Sequence, residues 1–279
     1  MSLARVALAG LLRAPGRTLT RVVVLAAAVA LLGSMLLFIG HSLRTMTASA
    51  TRSVPLHWQG PVGSYDQARR VADGVARERG ILQASASATA PFAGATHSGS
   101  AGATVAGGGS VLAVPPDYLR HIRTFHLLQG SLQPAAIVLD QQLAATLRAR
   151  IGERVVLRPR ATAPARAYTV SGVASVTAPD VLFAPLNPQV GPAPAQPPAN
   201  VAIMPLDTFA SSYAPALPAI QTASPGASAV PGAQQGVQWQ VQAQLKTRGL
   251  GHSPAQALTR AGHVRNRVER SFPGQVQFV

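Results

Sequence analysis

The chain of 279 residues contains no cysteine. That excludes disulfides, thiolate metal ligands, cysteine nucleophiles and a lipid-modified N-terminal cysteine. An exported bacterial domain is compatible with the absence, which does not by itself demonstrate one. Acid is also scarce: nine Asp and Glu stand against 24 Lys and Arg, and Lys246 is the single lysine. The acids, Asp66, Asp73, Glu78, Asp117, Asp140, Glu153, Asp180, Asp207 and Glu269, are well separated. Nothing supports the paired carboxylates that glycoside hydrolysis needs. Asp140 reads instead as a helix cap, and Glu153 as a turn residue before a strand. Aromatics make up only 5%, so a core must be built from Ala, Val and Leu.

Motifs of chemistry are missing too. The signature G-x-x-x-x-G-K-[ST] does not occur, and Gly107-Gly108-Gly109-Ser110 lacks the following Lys-Ser or Lys-Thr, so it reads as a flexible hairpin tip. There is no G-x-S-x-G elbow. Asp117 and His121 are four apart, a helix-surface pair. His121 and His126 are five apart and fall on different faces of a helix, which argues against shared metal ligation. No residue is assigned as catalytic, cofactor-binding or metal-ligating. The chain reads as non-enzymatic, with no cofactor.

The net charge of +15 raises nucleic acid as a partner. Its distribution argues otherwise. Arg5, Arg13, Arg17, Arg21, Arg44 and Arg52 flank a long apolar run, where anionic headgroups are the natural counter-charge. The other cations are scattered or paired, with no interleaved aromatics to stack bases. The partner implied is a lipid bilayer and no nucleic acid.

That apolar run is Val22 to Gly40, VVVLAAAVALLGSMLLFIG, without a charge. As a helix it spans roughly 28 Å, close to the hydrocarbon thickness of a bilayer. Its one polar residue, Ser34, can bond back to its own helix. A buried core helix is the alternative, but such helices rarely run so far without a charge. Four arginines precede the run and two follow, which favours the N-terminus inside the cell membrane and the remainder outside the cytoplasm. Ala48-Ser49-Ala50 is an A-x-A pattern of the kind a signal peptidase reads. The run exceeds an h-region and the pattern lies well beyond it, so an uncleaved anchor is the expectation.

Along the chain, Ser2 to Arg13 reads as a short helix, either lying on the inner membrane face or serving as the n-region of the anchor. Pro15-Gly16 is expected to break it, with Thr18 or Thr20 capping the membrane helix. His41 to Arg52 continues that helix. Pro55, Gly60, Pro61 and Gly63 mark an irregular segment, with Trp58 and Tyr65 near the interface. Ser64 to Gly80 is a helix with Ala68, Val71, Val75 and Ala76 inward, and Ile81 to Ala90 a strand. A hairpin covers Pro91 to Ser110, Val111 to Val114 is a strand, and Pro116 starts a helix. Ala136 to Leu139 is a strand, Gln141 to Arg150 a helix capped by Asp140 and ended by Gly152, and Arg154 to Arg158 and Ala167 to Val176 are paired strands. Residues 178–232 hold twelve of the 23 prolines, with a strand at Asn200 to Met204 and a short helix at Pro205 to Ser212. Trp239 to Lys246 alternates as a strand. Pro254 to Arg270 is a helix with Ala257, Leu258, Ala261, Val264 and Val268 on one side, and Gln275 to Val279 a last strand.

Three stretches carry a resemblance. ALAGLLRAPGRTLTRVVVLAAAVALLGSMLLF resembles the N-terminal helix and first membrane span of MacB/FtsX-type permease subunits of ABC transporters. Pro116 to Leu119, Gly130 to Leu132, Val138 to Ala144 and Gly152 to Leu157 resemble successive motifs of that family's periplasmic core domain, and RNRVERSFPGQVQFV its closing helix and strand. The resemblance implies an α+β, membrane-anchored fold: one N-terminal transmembrane helix, then a mixed α/β extracytoplasmic domain with a porter-like subdomain and a more variable second one. The divisions expected are a cytoplasmic amphipathic segment at 1–16, a transmembrane helix at 17–44 and an extracytoplasmic domain at 45–279, with the Pro-rich variable region at 178–232. It also implies a permease subunit that couples a separate ABC ATPase subunit in the cytoplasm to the outer domain. The family's three later membrane helices are not in these 279 residues. A truncated copy, a fragment, or a chain completed by a further permease subunit or helices are the expectations. A membrane-anchored binding or adaptor domain with no transport role is the alternative.

Overall fold

The structure is a computed structural model and describes residues 15–100, 102–177, 179–184, 186, 198–218, 236–247, 250 and 253–279. Helix α1 (Pro15–Ser53) is continuous over 39 residues. The break expected at Pro15-Gly16 falls at the edge of the described residues. Thr20 does not cap; its hydroxyl donates to the Gly16 carbonyl at 2.9 Å inside the helix. Ser34 bonds back to the Leu31 carbonyl at 2.8 Å, as expected. Leu19–Ser42 is long and apolar enough to cross a membrane. Leu37 and Phe38 are 76% and 73% exposed, so this helix is no buried core element. The helix expected at 2–13 lies outside the described residues.

Beyond α1 the chain forms strands β1 (Trp58–Val62), β2 (Ile81–Phe92), β3 (Gly94–Gly99), β4 (Gly102–Ala106), β5 (Gly109–Val114), β6 (Phe125–Gly130), β7 (Ala136–Asp140), β8 (Arg154–Arg158), β9 (Arg166–Val176), β10 (Val201–Pro205) and β11 (Gln238–Leu245). Helix α2 (Tyr65–Ala76) joins β1 to β2, α3 (Gln141–Leu147) follows β7, and α4 (Pro254–Ser271) follows β11. One mixed sheet holds the strands in the order β1-β11-β2-β5-β10-β7-β9-β8-β3-β4, with β6 also paired to β9. Only β5 with β10 and β7 with β9 run parallel.

The helices form where the sequence places caps. Ser64 Oγ accepts from Gln67 N at 3.2 Å, while the Gln67 side-chain carbonyl accepts from Gly63 N at 3.0 Å. One orphan donor of the first turn, Gln67 N, and the N–H of the residue before the cap are thereby satisfied. Val71 and Val75 face the sheet and are buried, each contributing about 1.5–3 kcal/mol. Ala72 is buried in place of the expected Ala76, because α2 ends at Ala76 rather than Gly80. Asp140 caps α3 by accepting from Gln142 N at 3.1 Å. That helix stops at Arg148 in the left-handed region, earlier than the expected Gly152. In α4, Leu258 is 74% exposed and not inward, whereas Ala257 and Val268 are buried.

Two cores result, one on each face of the sheet. Ala86, Ala88, Val111, Ala113, Ala202 and Met204 face α2 and α4. Leu112, Val114, Val138, Val201 and Ile203 face the other way, toward Leu56, Tyr118, Ile122 and Phe125. The segment expected to be irregular is β1. Proline is accepted there because β1 has one full ladder partner, β11. Trp58 and Tyr65, expected near the membrane interface, pack within the domain: Trp58 on Phe278 and Tyr65 on Trp239. The last residues form no strand. Val279 and Gln59 exchange two backbone hydrogen bonds, at 2.9 and 3.3 Å, beside β1. The helix expected at Pro116 is a single tight turn, Tyr118–Arg120.

Gly130 closes β6 with φ +75, and a Cβ there would run into the Ser171 carbonyl and Gly172 Cα. Gly130→Ala is expected to lower stability by at least about 2 kcal/mol. Thermal melts followed by the fluorescence of core residues Trp58 and Trp239 will measure it.

Candidate functional site

The segment after the Tyr118–Arg120 turn alternates. Ile122, Thr124 and Phe125 point inward, and Tyr118 stacks on Phe125 at 6.0 Å. His121, Arg123 and His126 therefore point out, and all three are exposed. They line one side of a cleft of about 460 Å³. Val54 and Pro55, just past α1, form its rim, and Gln244, Leu245 and Thr247 at the end of β11 its other wall. His121 and His126 thus line the same cleft, where a continuing helix would have put them on different faces, because the helical turn ends at Arg120. Asp117 does not line the cleft. The Gln83 amide orders this corner: its nitrogen donates to the Asp117 and Tyr118 carbonyls, and its oxygen accepts from His121 N at 2.8 Å.

Gln244 is the last of a buried row that sequence reasoning missed. Gln238, Gln240, Gln242 and Gln244 occupy one face of β11, all at most 7% exposed. Across the ladder they meet Thr89, Ser87, Ser85 and Gln83 of β2, and on the other side Gln59 of β1 lies opposite Gln242. The phenol of Tyr118 donates to Gln242 Oε1. Gln59 Nε2 donates to the Val181 carbonyl at 2.6 Å and Gln244 Nε2 to the Val54 carbonyl at 3.1 Å. The Nε2 atoms of Gln238, Gln240 and Gln242 and the Oε1 atoms of Gln59 and Gln244 have no partner. The signal was in the sequence: glutamine at every second position of a strand that is otherwise Trp, Val, Ala and Leu. Alternation alone does not say that the polar face is buried.

A second polar centre is structural. His97 on β3 is buried, with Nδ1 at 3.0 Å from the Leu147 carbonyl and Nε2 at 3.2 Å from Glu153 Oε2. Glu153 also accepts from Arg150 N at 2.7 Å, tying the turn after α3 to β3. Among the described residues no three His, Cys, Asp or Glu side chains converge as a metal site would require. Gly109 lies against Asn200, whose side chain donates to the Gly107 and Gly108 carbonyls, so the glycine run is held by a neighbouring loop.

Residues 18–248 match the MacB-like periplasmic core domain. Among solved structures, the periplasmic region of MacB from Actinobacillus actinomycetemcomitans is similar at 11% identity, over 80% of this chain and 87% of that one, with a TM-score of 0.44. No curated protein matches.

The glutamine row yields a contrast. Gln240→Met removes a buried orphan donor and is expected to raise stability by about 1 kcal/mol, whereas Gln242→Met strips Tyr118 of its acceptor and is expected to lower it by about 1–2 kcal/mol. Paired thermal melts will check the opposite signs. A separate prediction concerns alkaline pH. Burial raises the Tyr118 phenol above its ordinary 10.0, the hydrogen bond to Thr124 opposing, and burial raises Tyr213 likewise. The unfolded chain loses these protons near pH 10 while the folded chain keeps them. Their contribution is therefore complete below about pH 10 and is lost as pH rises further. Tyr118→Phe is expected to flatten that alkaline decline, read from melting temperature against pH.

Proposed function

The chain belongs to the MacB-like periplasmic core domain family, and from that premise we propose that it acts as a permease subunit of an ABC transporter. The observation that carries this reading is the joint between α1 and the sheet. Helix α1 ends at Ser53, and the next three residues are fastened at once. The Val54 carbonyl accepts from Gln244 Nε2, the Pro55 carbonyl accepts from Arg123 N at 3.3 Å, and Leu56 is buried in the second core. A displacement of the helix is thereby passed to β11 and to the segment before β6, with no slack linker between them.

In this reading residues 1–16 lie in the cytoplasm, 17–44 span the cell membrane, and 45–279 form the outer domain. The four arginines before the span and two after it support that orientation. A separate ATPase subunit docks on the cytoplasmic side and supplies hydrolysis, so the chain itself needs no catalytic residue. One helix encloses no lumen, so any conduit belongs to an assembly with a further permease subunit or helices. The anchored binding or adaptor reading is favoured by a different observation, the cleft beside the joint.

Lys246 is exposed at the end of β11. An impermeant amine reagent is expected to label it in intact spheroplasts. With a co-purified ATPase subunit in detergent, a non-hydrolysable nucleotide is expected to change its labelling rate by about twofold or more, and a Gly-Gly-Ser insertion between Ser53 and Val54 to abolish that change. Labelling only after lysis overturns the orientation. A nucleotide response unaffected by the insertion overturns the coupling.

A further inference from the structure

We infer that the cleft beside the α1 joint binds a soluble oxyanion, a carboxylate or phosphate group on a small molecule. This goes beyond the coupling reading and does not depend on it. Two observations carry it.

The first is charge without counter-charge. The side chains of Arg123, His121 and His126 converge on the cleft, no Asp or Glu lines it, and none of the three has a side-chain hydrogen bond or ion pair among the described residues. A guanidinium flanked by two imidazoles offers planar, directional donors, the arrangement that carboxylate and phosphate accept. The second observation is room: about 460 Å³ admits a small molecule rather than a lone ion.

A lipid headgroup is the other source of such an anion. The apolar span ends at Ser42 and α1 continues to Ser53. Those eleven residues extend roughly 16 Å, past a headgroup layer about 5–8 Å deep. The cleft therefore stands in the aqueous zone beyond the membrane surface.

The test uses the full chain in nanodiscs of zwitterionic lipid, titrated by calorimetry with inorganic phosphate, succinate and L-glutamate. Saturable binding in the millimolar range or tighter is expected for at least one anion. Arg123→Gln should weaken it at least tenfold without moving the melting temperature, since Arg123 is exposed. Binding of none of the three, or binding indifferent to Arg123→Gln, overturns the proposal. So does loss of soluble-anion binding when phosphatidylglycerol is placed in the disc, because the occupant is then a lipid headgroup.

Discussion

Every residue of β11 is buried, and the rest of the domain is arranged around meeting that constraint on two faces with two chemistries. A strand enclosed on both sides ordinarily reads as a continuous apolar run. Here Trp239, Val241, Ala243 and Leu245 fill the core under α2 and α4, and the opposite face is entirely glutamine. The glutamines can be enclosed only if other parts of the chain bring them polar groups. That requirement explains why backbone carbonyls from two unrelated stretches, Val54 and Val181, reach into the same layer. It also explains why Tyr118 turns its hydroxyl toward Gln242 while its ring stacks on Phe125. The polar layer acts as a register device. A one-residue slip of β11 would put four glutamines into the alanine- and valine-lined core and Trp239 into the polar row.

Much of the fold was legible. The cap residues Ser64 and Asp140, most of the inward face of α2, and the strands at 81–90, 111–114, 154–158 and 239–246 stand where local chemistry places them, within a few residues. The misses have physical causes. Gly60 and Pro61 read as breakers, yet β1 needs both. A Cβ at Gly60 would clash with the Val276 side chain and Gln277 carbonyl, and Pro61 sits where little ladder bonding is demanded of it. Trp58 read as an interface anchor, but the C-terminal residues that cover it are more than two hundred positions away in sequence. Such distant contacts leave no local signal.

The candidate site was the least legible part. Its residues were noticed, since Asp117, His121 and His126 drew attention by type and spacing, but a helical period was applied to them. The turn ends at Arg120, and the following residues alternate two by two instead, with Ile122 and Thr124 in and His121 and Arg123 out. Both imidazoles reach the cleft because the alternation breaks at Thr124 and Phe125, which are both buried, and this returns His126 to the side of His121 and Arg123. The fourth member, Gln244, comes from the far end of the chain and is brought there by the antiparallel pairing of β11 with β2.

The joint and the cleft share an atom group, and this ties the mechanical and the binding readings to one another. Gln244 holds the first residue past α1 through its amide nitrogen and also lines the cleft. Pro55 likewise rims the cleft and accepts from the backbone of Arg123, whose side chain is the cleft's strongest donor. Any shift of α1 along its axis must therefore move Val54 or Pro55 against these two partners, and change the spacing between Arg123 and Gln244. Linkage requires the converse with equal free energy: an occupant that favours one spacing biases the helix toward the matching position. The coupling can be no larger than the occupant's difference in affinity between the two spacings. In the coupling reading, the short stretch from Ser53 to Leu56, rather than the large sheet above it, is where helix and folded domain exchange energy.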